Sequence, residues 1–296
     1  MKKYFLFILA FNLCYCQKNM EKETGLQLLD SEVFEIVQNW SQAPDGYARS
    51  VFTKIPTSGL DKYPVAILLH GGGGRADSFI NQFDYLDNHI LVAPQGYMRS
   101  WNISKERSKA PDVEFIAEVI SYLKKFNNVD TTNISIIGSS NGSALVNQLL
   151  IELDKDIFKK AVCRVSQLNT FQYRENIFWA QSDNNQFNVP SVPQQGRKIL
   201  CLAGSNDKVA PYYGGQGVLE YVFLDAEYSA FIFAKAMGYT GEEIADNMAV
   251  EDPQNFFKYS YLDGQIIHYR LQGAGHGFGS MSTEANRIIK NFIENN

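Results

Sequence analysis

The chain has 296 residues, of which 45% are hydrophobic, 13% aromatic and 20% charged, with 22 Gly and 9 Pro. That balance excludes collagen-like, low-complexity and wholly disordered proteins, and it supplies a sizeable core for one α/β domain or two smaller ones. Lys and Arg number 27 against 32 Asp and Glu, a formal net charge of −5, with no long basic run. The positive footprint that nucleic-acid binding needs is therefore missing, and a small or neutral partner is expected.

Met1-Lys2-Lys3 and the apolar stretch Tyr4 to Leu13 have the form of a signal peptide over residues 1–16. The stretch is about ten residues, shorter than the ~20 that a spanning helix needs. Two ways out of the membrane fit: cleavage after Cys16, with Cys14 and Cys16 as the small flanking residues, or a lipidated Cys16 at the mature N-terminus. Leu13 suits a lipobox, whereas Tyr15 is large for the position before the cysteine. An uncleaved anchor is the plainer alternative. Export is the shared expectation, to a secreted or periplasmic location or to a cell-surface or outer-membrane lipoprotein tethered through Cys16. Of the other cysteines, Cys163 and Cys201 lie in apolar runs that read as core strands, and spacing alone leaves open whether they pair. No Cys/His spacing resembles a zinc site.

Residues 17–43 carry little periodicity and read as a tether followed by an edge segment, with the folded domain expected over 44–296. Tyr47 to Pro56 reads as a strand. Val65 to Leu69 is an unbroken apolar run, as suits a strand covered on both faces, and it ends in His70-Gly71-Gly72-Gly73-Gly74. His89 to Pro94 reads as the next strand. Asp112 to Phe126 has helical spacing with an acidic start. A strand at Asn133 to Ile137 and a helix over Gly142 to Asp154 follow, then strands at Ala161 to Val165 and Lys198 to Ala203. Asp225 to Met237 reads as a helix. Tyr259 to Leu262 and Gln265 to Leu271 read as a hairpin turned at Asp263-Gly264, and Asn286 to Ile293 as a closing amphipathic helix. Strands alternate with helices throughout, which predicts a single α/β domain on a mostly parallel, doubly wound sheet.

Gly138-Ser139-Ser140-Asn141-Gly142 matches G-x-S-x-G between a strand and a helix. In such a turn the serine hydroxyl stands at the carboxyl end of the sheet, and the N–H of the next residue points where an oxyanion would form. The Gly-rich turn after Leu69 can bring a second N–H from Gly71, Gly72 or Gly73. A phosphate cradle is excluded there, because neither a Lys-Ser/Thr pair nor a ribose-binding acid follows at the right spacing. A nucleophilic serine needs a base and an orienting acid. His276 sits in the loop Gly273 to Gly279 beyond the last strand and is the expected base. His268, inside that strand, is the alternative; His70 belongs to the Gly-rich turn and His89 to the amino end of a strand. Asp207 follows a strand and lies between Ser140 and His276, the α/β-hydrolase order.

His70 to Gly74, the serine motif and the run Asn206 to Gly215 together resemble the polyhydroxybutyrate depolymerase and feruloyl-esterase-like branch of the α/β-hydrolases. Pro44 to Ser50, Asp112 to Ile116 and Gly273 to His276 are also similar to it, so that the resemblance runs from residue 44 to 295. It implies ester hydrolysis with Ser140 as nucleophile, His276 as base and Asp207 as its orienter. Asn141 with one of Gly71, Gly72 and Gly73 would form the oxyanion hole, and neither metal nor organic cofactor would be required. His276-Gly277-Phe278-Gly279 stands where family members often carry His-Thr-Trp-Pro, and the bracing cysteines of the family are absent. Trp101, Tyr212 and Tyr213 are candidates for an aromatic wall against a substrate and equally for ordinary packing. The substrate implied is a short-chain hydroxyacid ester or a feruloyl or acetyl ester on polysaccharide. A prolyl-oligopeptidase-like peptidase shares the triad order but usually needs a large accessory domain. A catalytically silent binding module is the third reading, although such members typically lose the Ser or the His.

Overall fold

The computed structural model describes residues 28–30, 33–182 and 185–295. The expected signal peptide over 1–16, including Cys14 and Cys16, lies outside the described residues, as does the tether up to residue 27. Among the described residues, no helix is long and apolar enough to cross a membrane.

In chain order come β1 (Val33–Trp40), β2 (Ala43–Lys54), β3 (Tyr63–Leu69), α1 (Ala76–Phe79), β4 (Ile90–Pro94), α2 (Asp112–Leu123), β5 (Val129–Ser139), α3 (Asn141–Glu152) and β6 (Lys160–Arg164). The short strands β7 (Tyr173–Arg174), β8 (Ile177–Gln181) and β9 (Phe187–Ser191) precede β10 (Lys198–Gly204). Then follow β11 (Tyr213–Gln216), β12 (Val222–Asp225), α4 (Ala226–Ala236), β13 (Val250–Glu251), β14 (Phe256–Tyr261), β15 (Ile266–Leu271) and α5 (Ser282–Glu294). The main sheet has the order β1-β2-β4-β3-β5-β6-β10-β15-β14-β13. Its centre, β4 to β15, is parallel throughout, with antiparallel strands at both edges.

The unbroken apolar runs have the two-faced burial expected of central parallel strands. In β3, Val65, Ile67 and Leu69 join the core under α2, α3 and α4, while Ala66 and Leu68 face the opposite core under α1 and α5. Helix α5 buries Ala285, Ile288, Ile289 and Ile293, a stripe at helical spacing. Each buried isoleucine contributes about 1.5–3 kcal/mol. Because β4 lies on one side of β3 and β5 on the other, the chain reverses its direction of winding between β3 and β5. A crevice opens at such a switch point, beyond the carboxyl ends of the strands.

Several expectations need correction. The sheet begins at Val33, ahead of the expected boundary at 44, because β1 pairs with β2 from Val33↔Phe52 to Trp40↔Ala43. β5 starts at Val129 rather than Asn133. Leu262 belongs to the turn, where it and Asp263 take left-handed conformations, φ 51° and 53°. The strands β7–β9 and β11–β12 had no counterpart in the sequence reading, since they are short and form two small separate sheets. Cys163 and Cys201 are register partners on β6 and β10 and are free thiols.

Candidate active site

Helix α3 starts immediately after β5, and Ser140 occupies the turn with φ 55° and ψ −120°. A non-glycine residue held there carries about 1–3 kcal/mol of strain, which the surrounding structure must offset. Two contacts hold it: the Ser140 N–H donates to Arg164 O on β6 at 2.9 Å, and Ser140 O accepts from Ala144 N–H at 3.0 Å. Gly142 is required for the packing of the turn, since a Cβ there would lie 2.1 Å from Leu69 O on β3. Register pairing of Leu69 with Gly138 then sets the Gly-rich turn beside the serine.

The base and the acid arrive on two loops stitched together beyond β10 and β15. Ser205 N–H donates to Leu271 O, Asn206 N–H to Ala274 O, and Gly273 N–H to the Ser205 hydroxyl, at 2.7–3.0 Å. A Cβ at Gly204 would meet Ala274 O at 2.3 Å, so the close approach of the loops depends on that glycine. His276 Nδ1 lies 2.7 Å from Asp207 Oδ2, and its Nε2 lies 2.8 Å from Ser140 Oγ. A carboxylate only accepts, so Nδ1 carries the ring proton and the Nε2 lone pair accepts from the serine hydroxyl. The other oxygen of Asp207 accepts the N–H groups of Val209 and Ala210 at 2.8 and 3.1 Å. Asp207 is buried, whereas the His276 side chain is 27% exposed.

The Gly-rich turn is also fixed. Buried His70 accepts the Gly96 N–H at Nε2 (3.1 Å), which leaves its Nδ1–H to donate to Gly71 O at 2.8 Å. Burial pushes its pKa down, which keeps it neutral as this bonding pattern requires. Gly73 drops out of the expected oxyanion set, because its N–H already donates to Arg99 O at 2.8 Å. Among the described residues the N–H groups of Gly71 and Gly72 have no such partner, and Gly72 lines the cavity at the serine. Asn141 opens α3, where backbone donors lack partners within the helix.

From Ser140, Asn141 and His276 a cavity of about 310 Å³ runs inward between Ile103, Ala144, Val165, Leu219, Tyr221 and Phe223. The cavity corrects the candidate aromatic wall. Trp101 is fully buried; its indole N–H donates to His70 O at 2.8 Å and supports the Gly-rich turn from behind. Tyr212 is buried as well, with its hydroxyl between Glu227 Oε1 and His268 Nε2, each 2.8 Å away. Tyr213 is 63% exposed and is not among the lining residues. The aromatic side chains that do line the cavity, Tyr221 and Phe223, come from the β11–β12 region. Glu106, a buried carboxylate in the cavity wall, was also missed. Its segment, Ser104-Lys105-Glu106-Arg107, reads as a solvated charge run, and no local spacing marks Glu106 as turned inward.

The segment that carries Trp101 and Glu106 is tied to the start of α2. Asp112, at the start of α2, pairs with buried Arg49 at 2.5 Å and accepts the Asn102 N–H at 2.6 Å, holding the segment around Trp101. Breaking a buried pair of this kind costs about 3–5 kcal/mol.

No family model matches the chain, and no curated protein matches it. Solved structures do. An acetyl xylan esterase from Aspergillus awamori superposes with TM-score 0.61 at 12% identity, over 88% of this chain and 99% of that one. LpqC, a poly(3-hydroxybutyrate) depolymerase from Bordetella parapertussis, gives 0.54 at 14% identity, over 87% and 89%. A protein described as a dipeptidyl aminopeptidase IV, from Bacteroides ovatus, gives 0.54 at 13% identity, over 90% of this chain but 36% of its own. The chain has the α/β-hydrolase fold.

Proposed function

We propose that this protein is an exported serine esterase that hydrolyses carboxylic esters. The observation that carries the proposal is the relay Asp207–His276–Ser140, with contacts of 2.7 and 2.8 Å, at a strained turn that opens into a mostly apolar cavity. Ser140 Oγ attacks the ester carbonyl carbon while its proton passes to His276 Nε2, and Asp207 stabilises the imidazolium that forms. The N–H groups of Asn141 and of Gly72 or Gly71 receive the oxyanion. Collapse of the tetrahedral adduct breaks the bond to the alkoxy oxygen, which leaves with the proton held on His276. Water, deprotonated by the same nitrogen, then releases the acid and restores Ser140.

At about 310 Å³ the cavity lies at the lower end of the ~300–1,000 Å³ typical of small-molecule sites, which favours a small acyl group. Short hydroxyacid and acetyl esters are the proposed substrates that suit this size, and a feruloyl ester is the larger alternative. Export is proposed on Met1 to Cys16 alone, and intact mass with palmitate labelling of the expressed full chain would separate cleavage from lipidation at Cys16.

The test is hydrolysis of p-nitrophenyl esters from acetate to octanoate, of methyl ferulate and of a prolyl p-nitroanilide, by the parent chain and by Ser140→Ala. Ester turnover that vanishes in the variant while its melting transition is kept supports the esterase. Turnover of the anilide alone would replace it with a peptidase, and no turnover of any compound would leave a binding module.

A further inference from the structure

We propose that Glu106 is a positioning residue for the oxyanion hole, acting through the side chain of Asn141. The inference rests on the esterase reading and concerns the residue next to the nucleophile. Every hydrogen-bonding direction of the Asn141 amide is engaged. Its Oδ1 accepts the Trp101 N–H at 2.7 Å and the Ser100 hydroxyl at 3.3 Å. Its Nδ2 donates to Trp101 O and to Glu106 Oε1, both at 3.0 Å. A flipped amide would set NH2 against the Trp101 N–H and oxygen against a carboxylate, so only one orientation is stable. Two single bonds separate that amide from the Asn141 Cα, and its orientation therefore fixes the backbone that carries the oxyanion-binding N–H.

Glu106 is anchored from its other oxygen. Oε2 accepts the Ile103 N–H at 3.0 Å and the Tyr221 hydroxyl at 2.7 Å, and Tyr221 in turn accepts the Lys105 N–H at 2.9 Å. Three donors from separate parts of the chain thus converge on one buried carboxylate, which is the acceptor-only group that satisfies them all. Glutamine at 106 would turn its NH2 toward at least one of those donors. The network reaches both arms of the hole. Trp101 grips Asn141 with its backbone and His70 O with its indole, and a Cβ at Gly72 would lie 3.7 Å from the Asn141 Cβ.

Sign separates positioning from a direct electrostatic effect. The Glu106 carboxylate lines the cavity in which the oxyanion develops, so its charge opposes that oxyanion. Neutralising it would raise kcat if the field mattered most. Positioning requires the reverse.

The test uses the parent chain, Glu106→Gln, Asn141→Ala and the double variant, with p-nitrophenyl butyrate turnover, an alkyl boronic acid as tetrahedral mimic, and melting curves. Loss of an oxyanion donor costs about 10²–10³ in kcat, so its displacement is expected to cost Glu106→Gln about 10- to 100-fold in kcat, with KM within about threefold. Boronate affinity should weaken by the same factor as kcat. The double variant should be no worse than its worse parent, because both changes cut one link. An unchanged or raised kcat in Glu106→Gln, a KM effect without a kcat effect, or multiplying losses in the double variant would each overturn the proposal. Should Glu106→Gln fail to fold, Glu106→Asp keeps the charge, withdraws it by one methylene and is judged by the same criteria. A parent chain that turns over no ester overturns the esterase reading and this inference with it. Ester turnover abolished by Ser140→Ala keeps that reading whatever Glu106 does.

Discussion

Two trios of acid, histidine and hydroxyl gather around the adjacent strands β10 and β15, and their difference explains where chemistry can occur. In Asp207–His276–Ser140 the imidazole stands between acid and hydroxyl, on loops, with the ring partly exposed. In Glu227–Tyr212–His268 the hydroxyl stands in the middle and every member is buried. The Tyr212 hydroxyl donates its hydrogen bond to Glu227 Oε1, so toward His268 Nε2 it can only accept, and the second histidine has no hydroxyl to deprotonate. Burial pushes His268 down to about 3 and, with the nearby Asp246, pushes Glu227 up to about 7. The same functional groups, ordered differently and removed from water, brace the loop after β10 on which Asp207 sits.

The comparison breaks most readily at the two histidines. His276→Ala is expected to lower kcat by about 10⁴–10⁶-fold with the melting transition kept, as when a triad base is removed. Comparable kcat values for His276→Ala and the parent would remove the relay from the mechanism. His268→Leu should behave oppositely, costing about 1–3 kcal/mol of stability through the lost hydrogen bond to Tyr212, while kcat of the folded enzyme stays within about threefold. A collapse of turnover there would bring the buried trio into the reaction.

The buried histidine also sets a pH dependence. Its pKa is lowered on folding from 6.5 to about 3, so the unfolded chain binds a proton that the folded chain refuses. The contribution is complete above pH 6.5 and is lost as the pH falls toward 3, at up to about 1.4 kcal/mol per unit. Urea unfolding between pH 7 and 4 should show that slope in the parent and a shallower one in His268→Leu. Equal slopes would mean that His268 is not held neutral.

A smaller effect sharpens the account of the site's walls. Trp101→Phe leaves the buried His70 carbonyl without its indole donor and should cost about 1–3 kcal/mol. Because Trp101 stands behind the Gly-rich turn, the ratio of feruloyl to butyryl ester turnover should move by less than about twofold, whereas a substrate-stacking Trp would be worth several-fold. Selective loss of the feruloyl ester would return the side chain to the cavity.

Much of the catalytic frame was legible because local covalent geometry decides it. Ser140 between two glycines, after a β-rich run and before an apolar helix, has one sensible conformation, and the order Ser140, Asp207, His276 follows from which strands their loops succeed. The continuous apolar run at Val65 to Leu69 likewise determines a strand covered on both faces, since either parity of residue must be buried. For Trp101, Tyr212 and Tyr213 the sequence left a substrate wall and ordinary packing open; Trp101 and Tyr212 are packed in the interior, Tyr213 is exposed, and none of them lines the cavity. Gly73 was grouped with Gly71 and Gly72 although its N–H belongs to Arg99, and Glu106 was not singled out. These outcomes rest on partners far apart in the chain: Trp101 with Asn141, 40 residues on, and Glu106 with Tyr221, 115 residues on. Local pattern sets turn shape and strand face, whereas the inward or outward aim of a loop side chain depends on donors and acceptors that only the assembled fold brings within 3 Å of it.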